Sequence, residues 1–308
     1  MLKNFSPSSL GINGRQSELI ELALTYGFRG MDIDMSEMLR RSQRSSVDDA
    51  AKYLRAAENL EVGGFKVDVD LDADDDAFTS QVGALHPVAE VAAELGVKRA
   101  YIFLPAATDR LPYPEYFDIQ TKRLGQIAEV LGEKNIRLGV GFHAAKELAE
   151  GKEFAFTQNV EGFLAVVRGA GNANVGFLVD TWDWVAGDGA MDQLSELKAD
   201  EIVAVRLASF PADIDTAKAA QTDRVLPEQD GTLNHVDLVK QLVSIGYDGP
   251  ISPSASSTQY KGQTRESTVQ KAQEAIDGIC KEAGLTVAPL PMELIEETTY
   301  EATPAVEA

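Results

Sequence analysis

Several short apolar runs in this chain end in side chains that can move protons or hold charge. Asp32 and Asp34 close GMDIDM, Lys66, Asp68 and Asp70 punctuate GFKVDVDL, and His143 follows IRLGVGF. Asp180 and Asp183 stand in VDTWDW, Arg206 and Ser209 in VAVRLAS, and Ser252 and Ser254 in ISPS. A charged side chain inside a strand is expensive unless it is paired, so each of these positions requires a reason. In VGFLVDT the neighbours of Asp180 are apolar and alternate residues point opposite ways, which turns Asp180 towards an interior mouth. The chemistry such a set can perform is proton transfer, which needs a positioned base, and stabilisation of negative charge, which needs a fixed positive group. His143 or Asp183 could be the base and Arg206 the positive group.

Each candidate has a plainer structural reading beside the functional one. His143 is either a pocket base or a hydrogen-bonded strand-end histidine. Lys66 is a reactive amine or, more simply, the counter-charge of Asp68 and Asp34. Trp182 and Trp184 offer faces for a sugar ring, although one of them must pack against the body of the fold. The run DLDADDDAF lacks the spacing of a calcium loop and reads as a solvated turn. His86 and His235 open helical stretches as surface or capping residues, and Cys280 sits in an apolar stripe as a core residue.

The elements that must position these groups alternate regularly. Apolar runs begin at Ser9, Gly30, Gly64, Arg99, Ile136, Val175, Ile202 and Gly249, with amphipathic helical stretches between them. Gly27, Gly96 and Gly246 stand where a helix must stop before the next strand. Eight β-α units predict a parallel (β/α)8 TIM barrel in one domain over residues 1–286, followed by an acidic, proline-containing tail over 287–308. That tail is expected to lie against the surface or a neighbouring subunit, which leaves room for a homo-oligomer. The longest connections are expected at Ser36–Ser46, Pro105–Phe117, Ala144–Gln158 and Ser209–Thr232, on the face where barrels build their sites.

ALTYGFRGMDID, VGFLVDTWD, IVAVRLAS and LVSIGYDGPISPS together resemble the xylose isomerase-like TIM barrels, the sugar phosphate isomerase/epimerase group. The resemblance runs from about Leu10 to Leu285. It implies a divalent metal, Mn or Mg by default, held by Glu, Asp, His and Glu on the last four strands. Carried over by position, these ligands fall on Gly141, Asp180, Arg206 and Ser254, and the histidine that accompanies the strand-six aspartate falls on Asp183. One ligand survives. The resemblance also sets Arg224 of RVLPEQDG in a substrate loop, with Glu228 where a glycine belongs. Because arginine has no lone pair to donate, no metal is expected, and Arg206 is expected to pair with Asp180 in its place. Lys66, Trp182, Arg224 and Ser254 are then the substrate-binding candidates, and His143, Asp180, Asp183 and Arg206 the catalytic ones. Two functions remain open: an isomerase, epimerase or lyase acting on a sugar or polyol without metal, and a non-catalytic relative that binds such a ligand.

Composition narrows the partners. A formal net charge of −21 repels phosphate backbones and anionic lipid, so neither nucleic acid nor a membrane surface is an expected partner. A small sugar-like molecule is the partner that the resemblance implies. One cysteine leaves no internal disulfide and no Cys-rich zinc site. Neither a spanning stretch nor a signal-peptide core stands out, and cytoplasmic residence is the expectation.

Overall fold

In a computed structural model the chain forms a (β/α)8 barrel; residues 1–55, 57, 60–229, 231–288 and 290 are described. The strands are β1 (Leu2–Phe5), β2 (Gly30–Met31), β3, β4 (Arg99–Phe103), β5 (Arg137–Gly141), β6 (Val175–Asp180), β7 (Ile202–Leu207) and β8 (Pro250–Pro253). β3 is broken into halves, Glu61–Val62 and Phe65–Lys66. Its first half pairs with β2 and its second with β4, so the break carries the ring closed. The order β3-β2-β1-β8-β7-β6-β5-β4-β3 is parallel throughout. Gly63 and Gly64 form the break because neither place has room for a side chain. A Cβ on Gly64 would stand 2.5 Å from the Tyr101 ring, and one on Gly63 would strike the Asn4 side chain.

The helices are α1 (Gln16–Thr25), α2 (Met35–Arg44), α3 (Val47–Arg55), α4 (Asp75–Glu94), α5 (Tyr113–Gly132) and α6 (Val160–Gly169). After these come α7 (Thr181–Ala186), α8 (Met191–Ser195), α9 (His235–Ser244) and α10 (Arg265–Glu282). The main core lies between strands and helices, around Phe5, Phe28, Phe65, Phe163 and Phe177. A second, smaller cluster fills the barrel itself, with Tyr101, Leu178, Val203 and Ala204 packed against Phe103. The anticipated stops hold: Gly27, Gly96 and Gly246 each take φ between 67° and 78°. That left-handed conformation suits glycine.

Two expectations need correction. The run from Ser9 is not a strand; Pro7–Leu10 is a 3-10 turn ended by Gly11 at φ 63°, and the first strand is the upstream LKNF. Pro7 cannot donate to a ladder, so pairing stops at Phe5. The stretch Ser36–Ser46 is largely helix α2 rather than loop, because the Asp34 carboxylate accepts the Ser36 and Glu37 amides and starts a helix there. Most of the expected tail over 287–308 lies outside the described residues. Among the described residues no helix is long and apolar enough to cross a membrane.

Candidate functional site

The strand-six end builds the centre of the site. The Asp180 carboxylate accepts hydrogen bonds from the Trp182 and Asp183 amides and so caps α7. That turn carries Asp183 inward beside Asp180, and both are buried, at 5% and 1% exposure. Between them lies Arg224, itself 7% exposed. One guanidinium nitrogen donates to both Asp180 oxygens at 2.5 and 2.6 Å, and the other donates to Asp183 Oδ2 at 2.7 Å. Asp183 Oδ1 accepts the Ala144 amide at 2.9 Å. The guanidinium lies 4.8 Å from the Trp182 ring, which stacks in turn on Phe210.

This arrangement is electrostatically closed. Burial alone would raise the Asp183 pKa, but Arg224, His143 and the Ala144 amide outweigh it and hold the carboxyl well below the usual carboxylate range. Burial likewise opposes the Arg224 charge, and the two aspartates reverse that and raise its pKa. A buried pair of this kind is weak evidence for net stability, but removing one partner costs about 3–5 kcal/mol because a charge is left uncompensated.

The arginine at the surviving aspartate is therefore Arg224, not Arg206 as the strand-end positions suggested. Arg206 turns instead towards the aromatic lining, 5.3 Å from the Phe103 ring and 6.0 Å from that of Tyr101. Its charge acts on Asp32 at the end of β2. Asp32 accepts a hydrogen bond from Asn4 Nδ2, which also donates to Ser252 Oγ. Burial raises the Asp32 pKa against the pull of Arg206. No described residue accepts a hydrogen bond from the Arg206 guanidinium.

His143 is half-exposed, stacked on Phe103 with ring centres 4.7 Å apart, and its Nδ1 is 3.8 Å from Asp183 Oδ2. Phe103 occupies the position a glutamate on β5 would fill, since a Cβ on Gly141 would stand 2.7 Å from its ring. The mouth thus brings together His143, Arg206, Phe103 and Asp32. Lys66 is exposed and forms no ion pair with Asp68 or Asp34 among the described residues, which removes the counter-charge reading. It is in register with Tyr101, an interior residue, so it stands on the mouth side of β3.

Four residues considered for binding are buried and engaged within the protein. Trp182 is fully buried between Arg224 and Phe210, Trp184 is fully buried and donates to the Ala190 carbonyl, and Arg224 is committed to the aspartates. Ser254 is buried and donates to the Ser9 carbonyl. His235, expected at the surface, is 1% exposed; its ring bridges Thr181 Oγ1 at 3.1 Å and the Glu228 carbonyl at 2.6 Å. It ties the strand-six end to the loop that delivers Arg224. His86 does lie exposed, but in the middle of α4 rather than at its start, because Asp74 caps that helix inside the DLDADDDAF run expected as a turn.

Sequence reasoning passed over Phe103 and gave Asp32 no role. The Asp-x-x-Asp spacing of DTWD was a signal for a helix cap, because an N-cap acid bonds the amides two and three residues on. No group of three or more His, Cys, Asp or Glu side chains among the described residues is placed to hold a metal ion.

Residues 20–279 match the family model described as xylose isomerase-like TIM barrel. No curated protein sequence matches the chain. Among solved structures, a xylose isomerase domain protein from Alicyclobacillus acidocaldarius superposes with a TM-score of 0.80 at 21% identity, over 92% of this chain and 99% of that one. The IolI protein, described with a bound zinc atom, gives 0.75 at 17% identity, over 92% and 99%. D-psicose 3-epimerase from Clostridium cellulolyticum H10, with D-tagatose, gives 0.66 at 12%, over 92% and 99%. These likenesses establish a shared fold.

Proposed function

Because the chain belongs to the xylose isomerase-like TIM barrel family, we propose that it handles a small polyhydroxylated carbonyl compound in the barrel mouth without a divalent ion. The observation that carries this reading is the Arg224 clamp on Asp180 and Asp183. The donor set does not fit a divalent ion. Asp180 spends its oxygens on two amides and a guanidinium, Ser254 faces Ser9, and Gly141 and Arg206 offer no side-chain lone pair. The Arg224 guanidinium already supplies a permanent positive charge to Asp180 and Asp183.

Open to a ligand at the mouth, among the described residues, are His143 and Arg206, both against Phe103, and the exposed Lys66. Arg206 would hold a carbonyl oxygen as negative charge develops on it, and His143 would remove and return the neighbouring proton. A single base returns the proton to the face it came from, which suits a carbonyl shift between adjacent carbons better than an inversion. The second reading is binding without turnover. It is favoured by Asp183, whose carboxylate is held ionised and hydrogen-bonded and so cannot serve as a second base.

The test is metal analysis of the purified chain, a thermal-shift screen over ketoses, inositols and sugar phosphates, and exchange of solvent deuterium into a stabilising ligand. Stabilisation with exchange that persists in chelator and fails in H143A supports the proton-transfer reading. Stabilisation without exchange supports binding alone. A stoichiometric divalent ion lost together with Asp180 would overturn both.

A further inference from the structure

A second charged feature lies outside the mouth. Four arginines, Arg15, Arg40, Arg41 and Arg44, line a surface cavity of about 800 Å³ with Gly14, Ser17 and Glu37, between the start of α1 and the outer face of α2. Concentrated arginine is unexpected on a chain of net charge −21. Arg41 is paired with Glu37 one turn back, at 2.6 Å. Arg15, Arg40 and Arg44 are exposed and form no ion pair among the described residues. Arg40 and Arg44 are four residues apart, neighbours on one helix face, and like charges at that spacing weaken a helix. The helix uses the compensating device for Arg41, whereas the equivalent position before Arg40 is Ser36 and before Arg44 is Arg40 itself.

Basic residues in the last turn of α2 suit its dipole, but Arg15 comes from a different element and lines the same cavity, so the cluster is not explained by α2 alone. Arginine rather than lysine at all four positions matters, because its planar fork matches two oxygens of one phosphate. Focusing is also stronger for a small positive cavity against an acidic surround, since the ligand meets attraction only there. We infer that this cavity is a binding site for a linear phosphate chain, with Arg15, Arg40 and Arg44 as its charge-bearing contacts. The site is separate from the proposed chemistry at His143 and Arg206 and stands whether or not that chemistry is correct.

The probe is sodium tripolyphosphate, titrated calorimetrically into the full chain at low salt, with adenosine triphosphate as a parallel arm. One-site binding that weakens at least tenfold in R40A/R44A, with the circular dichroism spectrum unchanged, is the expected result. Equal affinity for the two probes assigns the phosphate chain alone, and tighter binding of the nucleotide assigns a nucleoside-bearing ligand; both support the site. K122A/K271A removes two exposed charges elsewhere and serves as the control. No binding, unaltered binding in R40A/R44A, or equal weakening in the control overturns the inference.

Discussion

Arg224 holds two carboxylates that would otherwise be buried side by side, and removing it has a predictable cost. The variant R224A should lose about 3–5 kcal/mol of unfolding free energy, the range for breaking a buried ion pair from one side. R224K should recover only part, because an ammonium cannot reach both aspartates in the forked geometry that places its two nitrogens on different partners. Urea denaturation of the three proteins checks this. A loss below 1 kcal/mol in R224A would mean the clamp is solvated rather than buried. The Asp183 carboxylate adds a pH signature. Its folded pKa lies below its unfolded value, so its contribution is present above the ordinary aspartate range, near pH 4, and fades as pH falls from there. In D183N the acid limb of the stability curve should be correspondingly shallower. At this scale the sequence was half legible. The alternation around Asp180 correctly turned it inward, but its partner stands 44 residues away in a loop with no period to place it.

At the scale of elements, strand ends and caps decide which groups face the mouth. The β3 break depends on two glycines, and G64A should destabilise by about 1–3 kcal/mol or more, because its Cβ meets the Tyr101 ring and a rigid phenol ring inside a barrel has little room to move. Chemical denaturation reads the loss, and an unchanged midpoint would show that the ring yields freely. His235 joins α7 to the Arg224 loop through its two ring nitrogens. Burial lowers its folded pKa beneath the ordinary histidine value, so its contribution is complete above about pH 6.5 and is lost as pH falls through that value towards the folded pKa. Thermal melts between about pH 7.5 and pH 5 should therefore show a fall that H235Q largely removes. Seven of the strands and the helices that end in glycine stops were readable from apolar runs and those stops, which are local signals; α2 was not, because a capping carboxylate rather than an apolar period starts it. β1 was not, because LKNF is too short to show a period, and its assignment depends on pairing with β2 and β8. His235 was misread for a related reason: it is the first residue of α9, but tertiary packing, not helix position, sets its burial.

For the whole molecule, the acidic surface sets the background against which every local pair acts. A net charge of −21 on one barrel produces self-repulsion in the folded state, relieved on unfolding as the charges move apart. Added salt screens that repulsion over a Debye length of about 10 Å at 0.1 M, while the buried Arg224 clamp is screened far less. Thermal stability should therefore rise as sodium chloride increases from about 0.01 to 0.2 M, with the difference between wild type and R224A nearly constant across the series. A melting temperature that falls with salt would mean that exposed ion pairs such as Lys152–Asp109 and Arg265–Glu18 outweigh the repulsion. Fully exposed pairs are screened by solvent and contribute little each, so they are expected to lose that contest. The same screening separates the two positively charged regions. Ligand stabilisation through Arg206, partly enclosed by the barrel, should survive salt that abolishes phosphate binding at Arg15, Arg40 and Arg44 on the exposed surface.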